Sequence, residues 1–93
     1  PVYFYSMDGQ LKTLIDRTLP RYTEIRDKEV YFIATAAAGR GAMERTVDAL
    51  EGFTDCLPGA VVKGKIYGSG VYQKGEVMDT RAFQEAYQLG KKV

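Results

Sequence analysis

The chain has 93 residues, which is enough for one small domain and too few for two. Its 13 basic and 12 acidic side chains leave a net charge of +1, which gives no sign of a surface for nucleic acid. The sequence contains no histidine and a single cysteine. This excludes a histidine-based triad, a histidine-ligated metal and an internal disulfide within these residues. No apolar run reaches the roughly 18 residues that a membrane-spanning helix needs.

The first part of the chain is predicted to end a strand and then to form a helix. Residues 1–6 indicate a strand end that runs into a loop, and Asp8 is a suitable N-cap for the helix that follows. Pro20 is expected to end this helix, because the residue before a proline is disfavoured in the α conformation. Residues 21–28 are interpreted as a polar connection. The apolar face of the helix consists of Leu11, Leu14, Ile15 and Leu19.

The segment Glu29 to Ala37 is the clearest predicted strand. Both of its faces are mostly apolar, as expected for the middle of a parallel sheet that helices cover on both sides. A loop of small residues follows, and then a second helix. The apolar face of that helix consists of Ala42, Met43, Thr46, Val47, Leu50 and Phe53.

The last third is predicted to contain one more strand and one more helix. Residues 61–72 indicate a strand whose lysines, Lys63 and Lys65, are typical of a sheet edge. A turn is predicted at residues 73–75, and Asp79 or Thr80 is expected to cap the final helix. Its apolar face consists of Ala82, Phe83, Ala86, Tyr87 and Val93.

Alternating strands and helices of this length predict an α/β fold with right-handed crossovers. Two strands alone would leave one sheet edge open, so we expect further strands before residue 1. The chain begins at Pro1 without an initiator methionine and opens directly into apolar residues. We therefore interpret it as an internal piece of a longer protein.

Three loops are candidates for a ligand site, because ligands of doubly wound sheets bind at the carboxyl ends of the strands. The aromatic run Tyr3-Phe4-Tyr5 would suit a flat ring, and an apolar strand end that only packs explains it equally well. The loop from Thr35 to Gly41 offers backbone N–H groups at a helix start, although a short crossover turn is the simpler interpretation. Residues 68–70 follow the second strand and would lie on the same rim, although an irregular end of an edge strand is the simpler interpretation.

The remaining motifs point away from chemistry by side chains alone. Cys56 lies beside Phe53 and Leu57, which predicts a buried structural thiol and not a nucleophile. The sequence has no phosphate-binding P-loop, no nucleophile elbow, no HExxH and no paired catalytic carboxylates. If this chain takes part in catalysis, a cofactor must therefore supply the chemistry.

The segment PVYFYSMDGQLKTLIDRTLPRY closely resembles the stretch after the third strand of flavodoxin-like NAD(P)H-dependent FMN oxidoreductases. This group includes the NADPH-dependent FMN reductases and the iron–sulfur flavoproteins. The most specific elements are Pro1-Val2-Tyr3, Lys12 and Asp16-Arg17. Similarity continues through YFIATAAAGRGAMERT, GFTDCLPGA and IYGSGVYQKGEV, and so covers essentially the whole chain.

The resemblance implies a partial, flavodoxin-like doubly wound parallel sheet, with residues 1–93 as the C-terminal half of a single domain. It implies FMN as cofactor and NAD(P)H as co-substrate, with electrons passing to a quinone, a flavin or another acceptor. It also implies a cytoplasmic homo-oligomer. No catalytic side chain and no metal ligand is expected here. The implied FMN-binding residues are Pro1, Val2, Tyr3, Phe4, Tyr5 and Ser6 at one edge of the isoalloxazine ring, and Thr35, Ala36, Ala37 and Gly39 on its other side.

The sequence departs from the family pattern in two loops and lacks one segment. The loop after the central strand is often glycine-rich in the family and here reads AAAGRG, and Asp8-Gly9 replaces a frequent Asn-Ala. The first strand and its Ser/Thr-rich phosphate loop are not in these 93 residues, so we expect weak FMN binding and little activity from them alone. Two alternatives are an electron carrier of the flavodoxin type, disfavoured by the near-neutral charge, and a cofactor-free α/β interaction module.

Overall fold

The computed structural model describes all 93 residues and shows alternating helices and strands. The regular elements are α1 (Gly9–Arg17), β1 (Glu29–Thr35), α2 (Arg40–Asp55), β2 (Val61–Gly68) and α3 (Arg81–Gly90). Two short 3₁₀ helices, Leu19–Glu24 and Glu76–Asp79, lie between them. β1 and β2 pair in parallel, and α2 is the crossover between them. The structure thus confirms an α/β arrangement consistent with a partial flavodoxin-like fold. None of the helices combines the length and apolar character needed to cross a membrane.

The two faces of β1 differ in how well they are covered. Phe32 and Ala34 are buried on one face, where they form the core with α2. Ile33 points to the other face and is 64% exposed, so the expectation that helices cover both faces is wrong at this position. The reason is that α3 packs against β2 and leaves the face of β1 at Ile33 open. The core cluster consists of Phe32, Ala34, Ala36, Met43, Val47 and Leu50.

β2 has the irregularity that its glycine and lysines predict. The register passes from Val30 opposite Val62 to Tyr31 opposite Gly64, so Lys63 has no partner and forms a bulge. Lys65 Nζ lies 2.7 Å from Glu51 Oε1 and joins the strand to α2. This hydrogen bond raises the pKa of Lys65 above its ordinary value. β2 is a true edge strand, as the lysines indicate.

The first helix starts as predicted and ends earlier. Asp8 is the N-cap, and its Oδ1 accepts the N–H of Leu11 at 2.7 Å. α1 stops at Arg17, where the Thr18 hydroxyl donates to the carbonyl of Ile15 at 2.7 Å. The chain then forms a 3₁₀ helix, Leu19–Glu24, with Pro20 in its first turn. This helix includes residues 21–24, which were expected to belong to a polar connection. No residue of α1 is fully buried, and its apolar face meets the core through Ile15, which is half-buried.

The structure corrects the prediction for Cys56 at the end of α2 and decides between the two predicted caps at the start of α3. Cys56 is exposed and not buried, because it caps the end of α2 and its thiol donates back to the carbonyl of Gly52 at 3.3 Å. Thr80, and not Asp79, caps α3, and its Oγ1 accepts the N–H of Phe83 at 3.3 Å. On the predicted apolar face of α3 only Ala82 is buried, and Tyr87 and Val93 are exposed.

Candidate functional site

The segment before α1 turns back on itself through two aromatic residues. Tyr3 and Ser6 exchange two backbone hydrogen bonds, with N···O distances of 2.9 and 3.1 Å. Between them Phe4 and Tyr5 both have positive φ, 51° and 65°. Two positive φ values inside a hydrogen-bonded four-residue turn are the geometry of a type I′ turn, which normally requires Asn or Gly. Phe4 is fully exposed at its tip. The turn therefore combines backbone strain with an exposed aromatic ring.

An arginine from α2 contacts the second aromatic residue of this turn. The guanidinium of Arg45 lies 4.4 Å from the centre of the Tyr5 ring, within the range of a cation–π interaction. Arg45 forms no ion pair, whereas the neighbouring Arg40 pairs with Glu44 at 2.9 Å and lies over Tyr67. The stacking of Arg45 on Tyr5 thus links the turn to α2.

The segment Pro1–Val2 lies beside the end of β1. The N–H of Val2 donates to the carbonyl of Thr35 at 2.9 Å, on the side of β1 that β2 does not occupy. On the other side, the N–H of Ala36 donates to the carbonyl of Gly68 at 3.0 Å. The first segment and the ends of β1 and β2 therefore meet at the carboxyl edge of the sheet.

The loop after β2 is the third segment at this edge. The N–H of Val71 donates to the carbonyl of Ala36 at 3.0 Å, which brings the loop across the end of β1. Further along, Glu76 Oε2 accepts the N–H groups of Tyr72 and Gln73 at 2.7 and 2.8 Å. These two bonds favour the ionised carboxylate and lower the pKa of Glu76 below its ordinary value of 4.5.

The three segments enclose a cavity of about 380 Å³ that is open on one side. Seven of its ten lining residues are hydrophobic, and none carries a charged side chain. The N–H of Ala37, one of the lining residues, donates no hydrogen bond within the chain. The cavity therefore offers apolar walls and a free donor, which suits a flat ring with polar edges. Its lining residues are Pro1, Val2, Tyr3, Thr35, Ala36, Ala37, Val71, Tyr72, Gln73 and Val77.

The structure brings together six of the ten residues predicted for the site. Pro1, Val2, Tyr3, Thr35, Ala36 and Ala37 line the cavity. Phe4, Tyr5, Ser6 and Gly39 do not line it: the first three belong to the turn, and Gly39 is the N-cap of α2. In addition, the N–H groups of Val2, Tyr3 and Ser6 are already bonded within the chain. Ligand binding by these residues stays a prediction.

Four lining residues were not predicted: Val71, Tyr72, Gln73 and Val77. Residues 61–72 read as a continuous strand in the sequence, whereas β2 ends at Gly68 and the chain bends over the end of β1. The glycines at 68 and 70 were the available signal, because Gly70 adopts a positive φ of 68°.

Comparison with known proteins assigns the chain. It matches the model of the NADPH-dependent FMN reductase family over residues 1–73. The chain belongs to this family. A search of curated proteins and a search of solved structures gave no significant match. The matched region contains β1, β2 and all of the cavity lining except Val77.

Members of the NADPH-dependent FMN reductase family bind FMN and use NADPH as electron donor, and the cavity fits one part of that cofactor. Its apolar walls and the free Ala37 donor suit the isoalloxazine ring. It has no arginine, lysine or serine side chain in its lining for a phosphate dianion. The residues of this chain thus fit the ring end of FMN and not its phosphate end.

Proposed function

We propose that this chain forms the ring-binding part of an FMN-dependent NADPH oxidoreductase. The observation that supports it is the mostly apolar cavity, lined by no charged side chain, where Pro1–Tyr3, Thr35–Ala37 and Val71–Gln73 meet at the carboxyl edge of the sheet. In doubly wound folds this edge is where nucleotide cofactors bind. The proposal extends the family assignment to a specific place and to specific residues.

The chain's own groups hold and orient the ring in this proposal. The small side chains of Ala36 and Ala37 let the ring approach the backbone closely, and the Ala37 N–H donates to a ring nitrogen or carbonyl oxygen. The bonds Val2 to Thr35 and Val71 to Ala36 fix the two flanking walls before the ligand arrives. When bound, FMN supplies the redox chemistry, accepting a hydride from NADPH and passing electrons to a quinone, another flavin or a related acceptor.

The absence of charged side chains from the lining leads to a specific expectation about ligands. Because the phosphate makes no contact with a charged side chain of the cavity, these 93 residues should bind riboflavin and FMN with similar, weak affinity. Groups outside the cavity would bind the phosphate and so raise the affinity for FMN. That residues 1–93 are the C-terminal half of one larger domain stays a prediction, and the uncovered face of β1 at Ile33 supports it.

The test is a fluorescence titration of the chain with riboflavin and with FMN. Ala37→Phe places a ring inside the cavity and should weaken both ligands about tenfold or more. Ala38→Phe is the matched control, because Ala38 is also exposed in the same loop but does not line the cavity. Equal effects of the two variants, or a strong preference for FMN over riboflavin, would contradict the placement.

A second measurement separates an enzyme from an electron carrier. Steady oxidation of NADPH with a quinone acceptor, observed with the flavin-loaded protein, supports the oxidoreductase. A flavin-loaded protein that is reduced by dithionite but never by NADPH would support the carrier.

A further inference from the structure

The loop between β2 and α3 carries the third wall of the cavity and has little packing of its own. Tyr72 is 82% exposed, and Gln73 is exposed as well. Side-chain burial therefore does not fix these two residues. Their position depends on backbone hydrogen bonds at the two ends of the loop.

At its first end the loop is bonded to the segment after β1. The N–H of Gly70 donates to the carbonyl of Ala38 at 3.3 Å, and that of Val71 donates to the carbonyl of Ala36 at 3.0 Å. These bonds end at Val71. Beyond this residue no backbone bond joins Tyr72 or Gln73 to the cavity floor.

At its second end the loop is held by one backbone bond, from the Glu76 N–H to the Gln73 carbonyl at 3.1 Å, and by the Glu76 carboxylate. Gly75 adopts a left-handed φ of 82°, which turns the chain back so that Glu76 faces the residues just before it. Glu76 Oε2 then accepts both the Tyr72 and the Gln73 N–H groups, at 2.7 and 2.8 Å. Glu76 belongs to none of the ion pairs of the chain, so Lys74 does not pair with it. Both hydrogen bonds of its carboxylate within the chain go to this loop.

We propose that Glu76 is a positioning residue of the candidate site, whose carboxylate holds Tyr72 and Gln73 in place as the third wall of the cavity. The identity of the ligand rests on the proposed function, whereas the role of Glu76 in ordering the loop does not. Tyr72 gives this wall an aromatic ring at the cavity rim, where it contacts the edge of a bound flat ring.

The direction of the pH dependence follows from the two bonds. They favour the charged carboxylate, so the folded pKa of Glu76 is depressed. The contribution to loop order is therefore fully present above the unfolded value of about 4.5 and is lost as the pH falls through the folded pKa. A protonated acid is a weaker acceptor, so the two N–H groups lose their partner in acid.

The first test needs no ligand. In ¹⁵N-edited NMR spectra the amide signals of Tyr72 and Gln73 should move together as the pH falls below about 4.5. Glu76→Gln should abolish this movement and speed hydrogen exchange of the two amides about tenfold. Asp79→Asn is the matched control, because it removes a carboxylate from the same 3₁₀ helix that bonds neither amide. Amides that do not respond to Glu76 would overturn the proposal.

The second test uses riboflavin as the probe. Glu76→Gln should weaken its binding about 3- to 10-fold at neutral pH, and Asp79→Asn should leave it unchanged. Unchanged affinity in Glu76→Gln would overturn the role of Glu76 in the site. A wild-type protein that binds no flavin, with Tyr72 and Gln73 amides that still follow Glu76, would refute the proposed function and support the ordering role.

Discussion

Val2 donates its backbone N–H to the carbonyl of Thr35 at 2.9 Å, and this bond lies on the edge of β1 opposite to β2. Adjacent residues of a strand direct their backbone groups to opposite edges. The Ala36 N–H therefore donates to the Gly68 carbonyl on one edge, and the Thr35 carbonyl accepts from the Val2 N–H on the other. One wall of the cavity is therefore attached to the sheet by main-chain bonding and not only by side-chain packing.

Removing this donor should loosen the wall and lower stability. Val2→Pro eliminates the N–H, whereas Val2→Ala keeps it and removes most of the side chain. We expect Val2→Pro to lower the free energy of unfolding by about 1 kcal/mol more than Val2→Ala does, the net contribution of one hydrogen bond. Urea unfolding of both variants measures the difference. If the two lose the same amount, the bond to Thr35 contributes nothing measurable.

The strained turn offers a gain in stability. Phe4 has a positive φ and is fully exposed, so its replacement costs no packing. Asn tolerates this conformation much better than Phe, and Phe4→Asn should raise the free energy of unfolding by on the order of 1 kcal/mol. Phe4→Leu is the control, since it keeps the unfavourable conformation and should bring no gain. Thermal unfolding followed by circular dichroism distinguishes the two, and an equal response would show that strain is not relieved.

Two glycines should respond to alanine in opposite directions. Gly59 has φ of 73°, and a Cβ there would clash with Asp27 Oδ1, so Gly59→Ala should destabilise the chain by about 1–2 kcal/mol. Gly52 lies inside α2 with open space around it, so Gly52→Ala should stabilise by about 0.5–1 kcal/mol. Chemical denaturation of both variants under the same conditions is the measurement. The same sign for both would contradict the assigned backbone conformations.

Local signals in the sequence predicted most of the elements correctly. Asp8 is recognisable as a cap because its acceptor and the Leu11 donor are three residues apart, and the β1 faces follow from simple alternation. The family model then confirmed the resemblance that the first segment carries. The prediction that the Cys56 thiol is buried was wrong, because its exposure depends on where α2 ends, and the neighbouring residues do not indicate this.

The candidate site was predictable where it follows strand ends and not where it depends on loop shape. Thr35, Ala36 and Ala37 come directly after a recognisable strand. The turn at Phe4 and Tyr5 carries no Asn or Gly, so nothing in the sequence indicates this turn or the absence of the two residues from the cavity lining. Glu76 resembles any surface carboxylate until the backbone shows that it accepts two N–H groups from Tyr72 and Gln73.

The stability of the whole arrangement depends on one methionine in particular. Met43 of α2 is completely buried in the core cluster that supports β1, next to the loop that forms the cavity floor. Met43→Ala should therefore lower the free energy of unfolding by about 2–5 kcal/mol, the range for deleting a large core side chain. Met43→Leu keeps the volume and should cost less than about 1.5 kcal/mol. Met78 is 60% exposed, so Met78→Ala should change the free energy of unfolding by less than about 0.5 kcal/mol. Denaturant midpoints at constant m-value rank the three variants. A similar loss for Met43→Ala and Met78→Ala would show that α2 does not pack on β1 through Met43, and the cavity floor would then lack its support.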